Sequence, residues 1–197
     1  MTNFDGKRGH PSRLIIGRHS YGTENIRIIT NNEGANLYIG SFCSIAGNQL
    51  IFLGGNHRTD WITTFPFGHI KQHEFPNGAV NGLGGHPCTK GDVYIGHDVW
   101  IGEGCTILSG VYIGSGSVVA AGSVVTKSMP SYTICGGNPA KALKSRFTEA
   151  TIKKLTNLCW WNYPDDVINL IVPLLQSGPC DEVFAQIESL LLDFTPS

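Results

Sequence analysis

The hydrophobic residues of this chain recur at an unusual interval over the stretch 93–126, where an aliphatic side chain falls at every sixth position. These residues are Ile95, Ile101, Ile107, Ile113, Val119 and Val125. Residues small enough for a tight corner follow the first five of them after four positions, namely Val99, Cys105, Val111, Ser117 and Ser123. A period of six fits neither an amphipathic helix nor an alternating strand. It is typical of a parallel β-helix, in which three hexapeptides form one triangular coil around stacked aliphatics.

The repeat also occurs upstream, where Ile39, Ile45 and Ile51 are again six positions apart. Six positions after Ile51 lies His57, so an imidazole stands where the pattern requires the next aliphatic. The repeat then stops over residues 58–92, which are rich in Gly, Pro, His and aromatic residues. Loops of this length inside a compact domain are usually functional or disordered, and the aromatics argue against disorder. We expect this insert to pack on a neighbouring surface and to line a pocket.

A change of pattern after about residue 146 predicts a second region. Thr148 is typical of a helix N-cap, and the segments after it read as two or three short helices, with breaks expected at Pro173 and at 178–179. The chain is therefore predicted to be mainly β. A parallel β-helix with an inserted loop at 58–92 occupies 1–146, and helices at 147–197 cap the C-terminal end of the coil.

Charge and composition exclude several classes of protein. Fourteen Lys and Arg residues against fifteen Asp and Glu leave no basic stripe for a phosphate backbone, which argues against nucleic acid as the partner. No apolar run approaches a membrane span, and the N-terminus lacks the apolar core of a signal peptide, so we expect a cytoplasmic protein. The six cysteines contain no CxxC pair, which argues against a zinc knuckle, and Cys43 and Cys105 read as small buried residues.

Five motifs give the sequence a specific resemblance. In chain order they are NHRTDWITTFPF at 56–67, GHDVWIG at 96–102, AAGSVVTK at 120–127, GGNPAK at 136–141 and WWNYP at 160–164. Together they resemble the xenobiotic acetyltransferase branch of the hexapeptide acyltransferases, which includes the type B chloramphenicol and the streptogramin acetyltransferases. The resemblance implies that the β-helix is left-handed and that acetyl-CoA is the acyl donor. It also implies a homotrimer with active sites in the clefts between subunits.

His57 is the candidate catalytic residue, since acyl transfer to a hydroxyl needs a base near the acceptor oxygen and histidine titrates close to working pH. From its position alone, His57 could equally be a polar residue that ends a coil. The resemblance implies that it deprotonates the acceptor hydroxyl, which then attacks the acetyl carbonyl directly. One ring nitrogen must be held by a hydrogen-bond acceptor, and either a backbone carbonyl or Asp60 could serve.

No metal site is predicted. His69 and His73 are four positions apart, but their segment lacks helical flanks and an obvious third ligand. The γ-class carbonic anhydrases share the hexapeptide repeat, yet nothing in this sequence convincingly supplies their three-histidine site.

The expected CoA-binding residues are Trp100, Gly102, Ala121, Thr126, Lys127, Lys141, Lys144 and Arg146. Small residues allow a pantetheine arm to approach the backbone, although corner geometry explains them equally well. The resemblance favours Ala121, Thr126 and Lys127 as CoA contacts. Lys141, Lys144 and Arg146 could simply form a solvated charged face, but the resemblance favours them as ligands of the CoA phosphates. Trp100 either shields the thioester or packs.

The expected acceptor-binding residues are Tyr21, Asp60, Trp61 and Phe65. Tyr21 lies in the first coils and is expected to reach a site across the trimer cleft. By motif, the nearest acceptor is the hydroxyl of a chloramphenicol- or streptogramin-type antibiotic. Two alternatives stay open, which are acetylation of a saccharide or nucleotide-sugar hydroxyl or amine, and a non-catalytic β-helix scaffold.

Overall fold

The computed structural model of the protein describes residues 2–4, 12–31, 33–67, 74–75, 77 and 88–194. The chain divides into two compact units, Met1–Leu143 and Lys144–Ser197. The division falls close to the change of pattern at residue 146.

Short strands account for the regular structure of the first unit. They are β1 (Thr2–Phe4), β2 (Ser12–Ile16), β3 (Ile26–Ile29), β4 (Leu37–Ile39), β5 (Ser44–Ile45), β6 (Gln49–Phe52), β7 (Val93–Ile95), β8 (Trp100–Ile101), β9 (Thr106–Ile107), β10 (Tyr112–Ile113), β11 (Val118–Val119), β12 (Val124–Val125), β13 (Thr133–Gly137) and β14 (Ala140–Ser145). They form three sheets, with the order β1-β2-β4-β7-β10 in sheet A, β14-β13-β11-β8-β5 in sheet B and β12-β9-β6-β3 in sheet C.

The strand register shows how the sequence repeat becomes a coil. Trp100 pairs in parallel with Val118, and Tyr94 pairs with Tyr112, so strand partners stand three hexapeptides apart in the chain. Successive hexapeptides therefore visit sheets A, B and C in turn. The parallel β-helix predicted from the step of six is confirmed.

The core of the coil consists of the repeating aliphatics. Each of the six aliphatics in 93–126 is at most 2% exposed. The small residues two positions before them are equally buried, so they face inward at the ends of the corners. Cys43 and Cys105 are inside the coil as expected, and burial raises the pKa of both thiols. These cysteines therefore serve as small packing residues and not as nucleophiles.

Two corners of the coil carry most of the predicted site residues. The B-to-C corner follows each strand of sheet B, as after β8 and β11. The C-to-A corner follows each strand of sheet C, as after β6, β9 and β12. The insert leaves the coil at the C-to-A corner after β6 and returns to it before β7.

The second unit contains α1 (Glu149–Leu158), α2 (Asp165–Leu175) and α3 (Asp181–Leu191). Thr148 is the N-cap of α1, because its hydroxyl accepts the Thr151 N–H at 3.3 Å. Pro173 lies in the last turn of α2, which runs two residues further before it ends. In the part of the chain that is described, no helix combines the length and the apolar character that crossing a bilayer requires.

Candidate active site

The candidate site begins at the turn that takes the chain out of the coil after β6. Leu53 is still buried, and Gly55 has a φ of 83°, a left-handed conformation that favours glycine. Beyond this turn His57 is exposed. The step of six placed the imidazole at an inward, aliphatic position, and the structure corrects this placement. A base must meet its substrate, so an outward imidazole suits catalysis better than a core position.

The ring of His57 is oriented by a backbone carbonyl. Its Nδ1 lies 2.8 Å from the carbonyl oxygen of Thr64. Because a carbonyl oxygen only accepts, Nδ1 carries the hydrogen in the neutral ring, and Nε2 is then the basic nitrogen. Of the two orienting groups that the sequence left open, the structure therefore favours the backbone carbonyl over Asp60.

The carboxylate of Asp60 is held by the guanidinium of Arg58. Arg58 Nε donates to Asp60 Oδ1 at 2.6 Å, and its Nη2 donates to Oδ2. The same guanidinium stands 5.1 Å from the ring centre of Trp61. The hydrogen bonds from Arg58 lower the pKa of Asp60 to about 2, so this exposed carboxylate is charged at any physiological pH. Arg58 thus links the two predicted acceptor residues that follow His57.

An aromatic surface continues from the residue that orients the histidine. Phe65 follows Thr64 directly and contacts the ring of Phe67 at 4.6 Å between centroids. Phe67 in turn meets Phe75 edge-on at 5.0 Å. Phe65 and Phe75 are 39% and 47% exposed, so their rings remain available to a ligand. Of this cluster, Phe65 is a predicted acceptor-binding residue, and that role stays a prediction.

A second group of predicted residues lies on the outer side of sheet B. Tyr21 bridges to Ser44, and Ser44 pairs with Trp100, so the two aromatic residues share one outward row across the sheet. Tyr21 is 64% exposed and Trp100 is 57% exposed. Trp100 therefore does not pack inside the coil, which leaves the ligand-shielding role open to it.

Gly102 and Ala121 meet at the B-to-C corner, but with different exposure. A Cβ on Gly102 would lie 2.6 Å from the backbone nitrogen of Ala121, so this glycine lets two coils approach each other. Gly102 is buried and Ala121 is exposed. The structure thus gives Gly102 a packing role, and Ala121 is the residue of this pair that a cofactor could reach.

The predicted cations are spread along the chain and are all exposed. Lys127 follows β12 and stands at the C-to-A corner, as His57 does, while Thr126 beside it is half-buried. Lys141 is on β14 in the first unit. Lys144 and Arg146 open the second unit, where the Arg146 guanidinium lies 5.0 Å from the ring of Phe147.

One chain does not bring all of these residues of the first unit together. His57 and the insert lie at the C-to-A corner, whereas Ala121 and the Trp100 row lie at the B-to-C corner and on sheet B. Sheet C separates the two corners within every coil. The predicted site is therefore split into two halves on each chain.

The described histidines other than His57 show no metal-binding arrangement. Among the described residues no cluster of three or more His, Cys, Asp or Glu side chains could hold an ion. The pair His69 and His73 lies outside the described residues. His97 has a packing role, since its Nδ1 accepts the Ser41 N–H at 3.0 Å and burial lowers its pKa.

Sequence reasoning missed the residues that anchor the insert. Asn56 and Cys88 form an antiparallel bridge that closes the base of the insert on the coil, and Ser109 contacts Asn56 from the next coil. Asn56 lies in the motif at 56–67, so its position beside His57 was a signal. The hexapeptide pattern gave no sign of Ser109, which resembles any other corner serine.

Comparison with known proteins identifies the family. The bacterial transferase hexapeptide (six repeats) family model matches residues 92–127. A chloramphenicol acetyltransferase from Agrobacterium fabrum is 38% identical over an alignment of 178 residues, which covers 84% of this chain and 83% of that protein. The chain belongs to the xenobiotic acetyltransferase branch of the hexapeptide acyltransferases.

Two other similar proteins agree with this membership. A probable macrolide acetyltransferase from Lysinibacillus sphaericus is 44% identical over 156 residues, covering 74% of this chain and 81% of that protein. The crystal structure of a hexapeptide-repeat acetyltransferase from Vibrio cholerae in complex with acetyl-CoA matches 72% of this chain and 71% of its own, with 27% identity and a TM-score of 0.50. The β-helix of this xenobiotic acetyltransferase family member is left-handed, and the chain is an acyl-CoA-dependent acyltransferase, as predicted.

Proposed function

We propose that the chain transfers an acetyl group from acetyl-CoA directly to a hydroxyl of an antibiotic, with His57 as the general base. The observation that carries this proposal is the contact between His57 Nδ1 and the Thr64 carbonyl. It selects Nε2 as the basic nitrogen on an exposed ring, which is what deprotonation of an incoming hydroxyl requires.

The proposed reaction needs one residue to move one proton twice. Nε2 of His57 takes the proton of the acceptor hydroxyl while that oxygen bonds to the thioester carbonyl carbon. The carbon–sulfur bond then breaks, and the CoA sulfur leaves with the proton that the imidazolium returns. Atoms and charge balance without an acyl-enzyme, so no protein nucleophile is required. The buried cysteines, whose thiol pKa values are raised, agree with this direct route.

The donor side of the site is assigned to the second half. Ala121 offers exposed backbone at a corner where only a small side chain stands, which suits a thin amide-bearing arm. Trp100 supplies an exposed apolar ring on the adjacent sheet. Lys127, at the C-to-A corner, and Lys141, on β14, carry exposed positive charge that CoA phosphates would require. Lys144 and Arg146 of the second unit stay predicted phosphate ligands.

A homotrimer would complete the site. Since the base and the donor groove lie at different corners of one chain, a neighbouring chain must present its B-to-C corner to the His57 of the first. Three copies around an axis do this with three equal sites. We place the trimer in the cytoplasm, because all six cysteines are unpaired, as in a reducing compartment.

The acceptor is assigned from the aromatic surface and the relatives together. Trp61, Phe65 and Phe75 can pack against the apolar parts of an antibiotic, while Asp60 can bind its polar groups. The similar proteins from Agrobacterium fabrum and Lysinibacillus sphaericus carry the names of chloramphenicol and macrolide acetyltransferases. Chloramphenicol is therefore the first acceptor to test, and a saccharide is the alternative.

A thiol-release assay with acetyl-CoA distinguishes these acceptors. We expect chloramphenicol or another antibiotic to accelerate CoA release, and chloramphenicol with blocked hydroxyls to have no effect. Release with saccharides alone would replace the antibiotic assignment with the saccharide one. A chain that neither binds CoA nor releases it with any acceptor would be a scaffold protein, which contradicts the proposal.

The pairing of Arg58 with Asp60 and Trp61 gives a prediction for acceptor binding. Arg58→Lys keeps the positive charge but loses the two-point hydrogen bonding to Asp60 and the stacking on Trp61. The acceptor-binding surface is therefore less well ordered. We expect the KM for the acceptor to rise about fivefold, which corresponds to about 1 kcal/mol, the net worth of roughly one ordinary hydrogen bond, with kcat little changed. Steady-state kinetics with varied acceptor measures this.

The matched control is Arg18→Lys. Arg18 makes a similar contact over the ring of Phe42 at 5.5 Å in the first coil, away from the insert. An equal rise in KM in both variants would show that Arg58 has no specific part in acceptor binding.

A further inference from the structure

Both ends of the insert meet at one buried hydroxyl. Ser109 follows β9 at the C-to-A corner and is 4% exposed. Its Oγ accepts a hydrogen bond from Asn56 Nδ2 at 3.0 Å and another from the Lys90 N–H at 3.3 Å. Asn56 is the last residue before His57, and Lys90 lies two residues before the end of the insert. Ser109 therefore ties the departing and the returning chain to the following coil.

The side-chain amide of Asn56 is fully used at this junction. One Nδ2 hydrogen goes to Ser109 Oγ and the other to the Cys88 carbonyl at 3.0 Å. The backbones of Asn56 and Cys88 also exchange two hydrogen bonds, at 2.9 and 2.8 Å. An amide with both hydrogens bonded has one orientation, so the junction fixes the backbone of Asn56.

The same segment is held from the preceding coil. The Gly55 N–H donates to both carboxylate oxygens of Glu33, at 3.2 and 3.1 Å. Glu33 precedes β4 and belongs to the preceding coil, whereas Ser109 belongs to the following one. Gly55 is therefore hydrogen-bonded to the preceding coil and Asn56 to the following coil. His57 is the first residue beyond these hydrogen bonds, and its ring partner Thr64 lies seven residues further within the insert.

We infer that Ser109 is a positioning residue for the proposed reaction, acting through Asn56 on the location of His57. Removing its hydroxyl would leave one hydrogen of Asn56 and the Lys90 N–H without their acceptor in a part-buried place, which costs free energy. The base of the insert can relieve this cost only by shifting or admitting water. A displacement of a catalytic group by about 1 Å can lower a rate on the order of 100-fold. This inference rests on the function proposed above for His57.

The test is Ser109→Ala together with the conservative variant Ser109→Thr. We expect Ser109→Ala to lower kcat about tenfold while the KM for acetyl-CoA stays within about twofold, because Ser109 bonds to Asn56 and Lys90, which are not among the predicted CoA-binding residues. Ser109→Thr retains Oγ and is expected to restore kcat to within about threefold of wild type. A wild-type kcat in Ser109→Ala would overturn the inference, and so would a failure of Ser109→Thr to restore it.

A matched control separates positioning from general loss of stability. Ser117 is a fully buried serine whose Oγ donates to the Pro130 carbonyl and accepts the Thr133 N–H, away from the insert. Ser117→Ala is expected to be less stable with a normal kcat. An equal loss of kcat in both alanine variants would show that Ser109 acts only through stability.

Hydrogen exchange tests the junction without relying on turnover. In Ser109→Ala the backbone amides of Asn56 and Cys88 are expected to exchange about tenfold faster than in wild type. In Ser117→Ala the same two amides are expected to exchange at the wild-type rate. Faster exchange in a protein that shows no transferase activity at all would support the junction while the proposed function fails. Unchanged exchange would contradict the inference directly.

Discussion

Replacement of His57 by alanine is expected to lower kcat for acetyl transfer by about 100-fold or more. The loss follows from the removal of Nε2, the basic nitrogen that the Thr64 carbonyl selects by holding Nδ1. Binding of acetyl-CoA should be retained, because His57 acts on the acceptor hydroxyl and is not among the predicted CoA-binding residues. Thiol-release kinetics and CoA-binding calorimetry on the same preparations measure the two effects separately.

The control for this prediction is His19→Asn. His19 is exposed and has a φ of 60°, a conformation that asparagine adopts more readily than most residues. This variant should keep its kcat, which shows that loss of an imidazole does not by itself impair the enzyme. A His57→Ala variant with near-normal acetyl transfer would contradict the proposed mechanism.

Mixing two inactive variants is expected to restore activity. His57→Ala removes the base, and Ala121→Trp is expected to block the donor groove, so each alone should retain about 1% activity or less. If a site takes its base from one chain and its groove from the next, a mixed trimer of either composition contains both intact halves at one of its three sites. The activity recovered in the doubly purified mixed trimers should therefore be about one third of the wild-type value.

The experiment requires co-expression of the two variants with different affinity tags and purification through both tags. The matched control is a mixture of two other chains. One carries both substitutions, His57→Ala and Ala121→Trp, and the other carries His57→Ala alone. No site in this mixture recovers a base. Absence of recovery in the first mixture, with mixed trimers demonstrated by both tags, would show that each site lies within one chain.

The fold was predictable from the sequence because the hexapeptide repeat is a local rule. Each aliphatic such as Ile107 stacks on the aliphatics of the neighbouring coils, and a fixed spacing of six places all of them inside the β-helix. The resemblance supplied the handedness, which no hydrophobic pattern contains. The helix cap at Thr148 was likewise a local signal, since a threonine before a helical segment needs no distant partner.

The site was predictable only in part because its decisive contacts are not local patterns. His57 was found as a residue that departs from the repeat, but its outward direction depends on the left-handed turn at Gly55. Its partner, the carbonyl of Thr64, belongs to the backbone and leaves no trace in residue type. Gly102 was predicted to contact CoA because a glycine lets a ligand approach the backbone. In the structure its missing side chain gives room to the backbone of the neighbouring coil.

Direct acetyl transfer with His57 as the base can be tested on the product. The product formed from chloramphenicol and acetyl-CoA is isolated, and the new acetyl group is located by mass spectrometry and NMR. We expect one acetyl ester on a chloramphenicol hydroxyl, formed by the wild-type chain and about 100-fold more slowly by His57→Ala. An acetyl group found on the protein as an intermediate, or formation of the ester at equal rates by both proteins, would contradict direct transfer with His57 as the base.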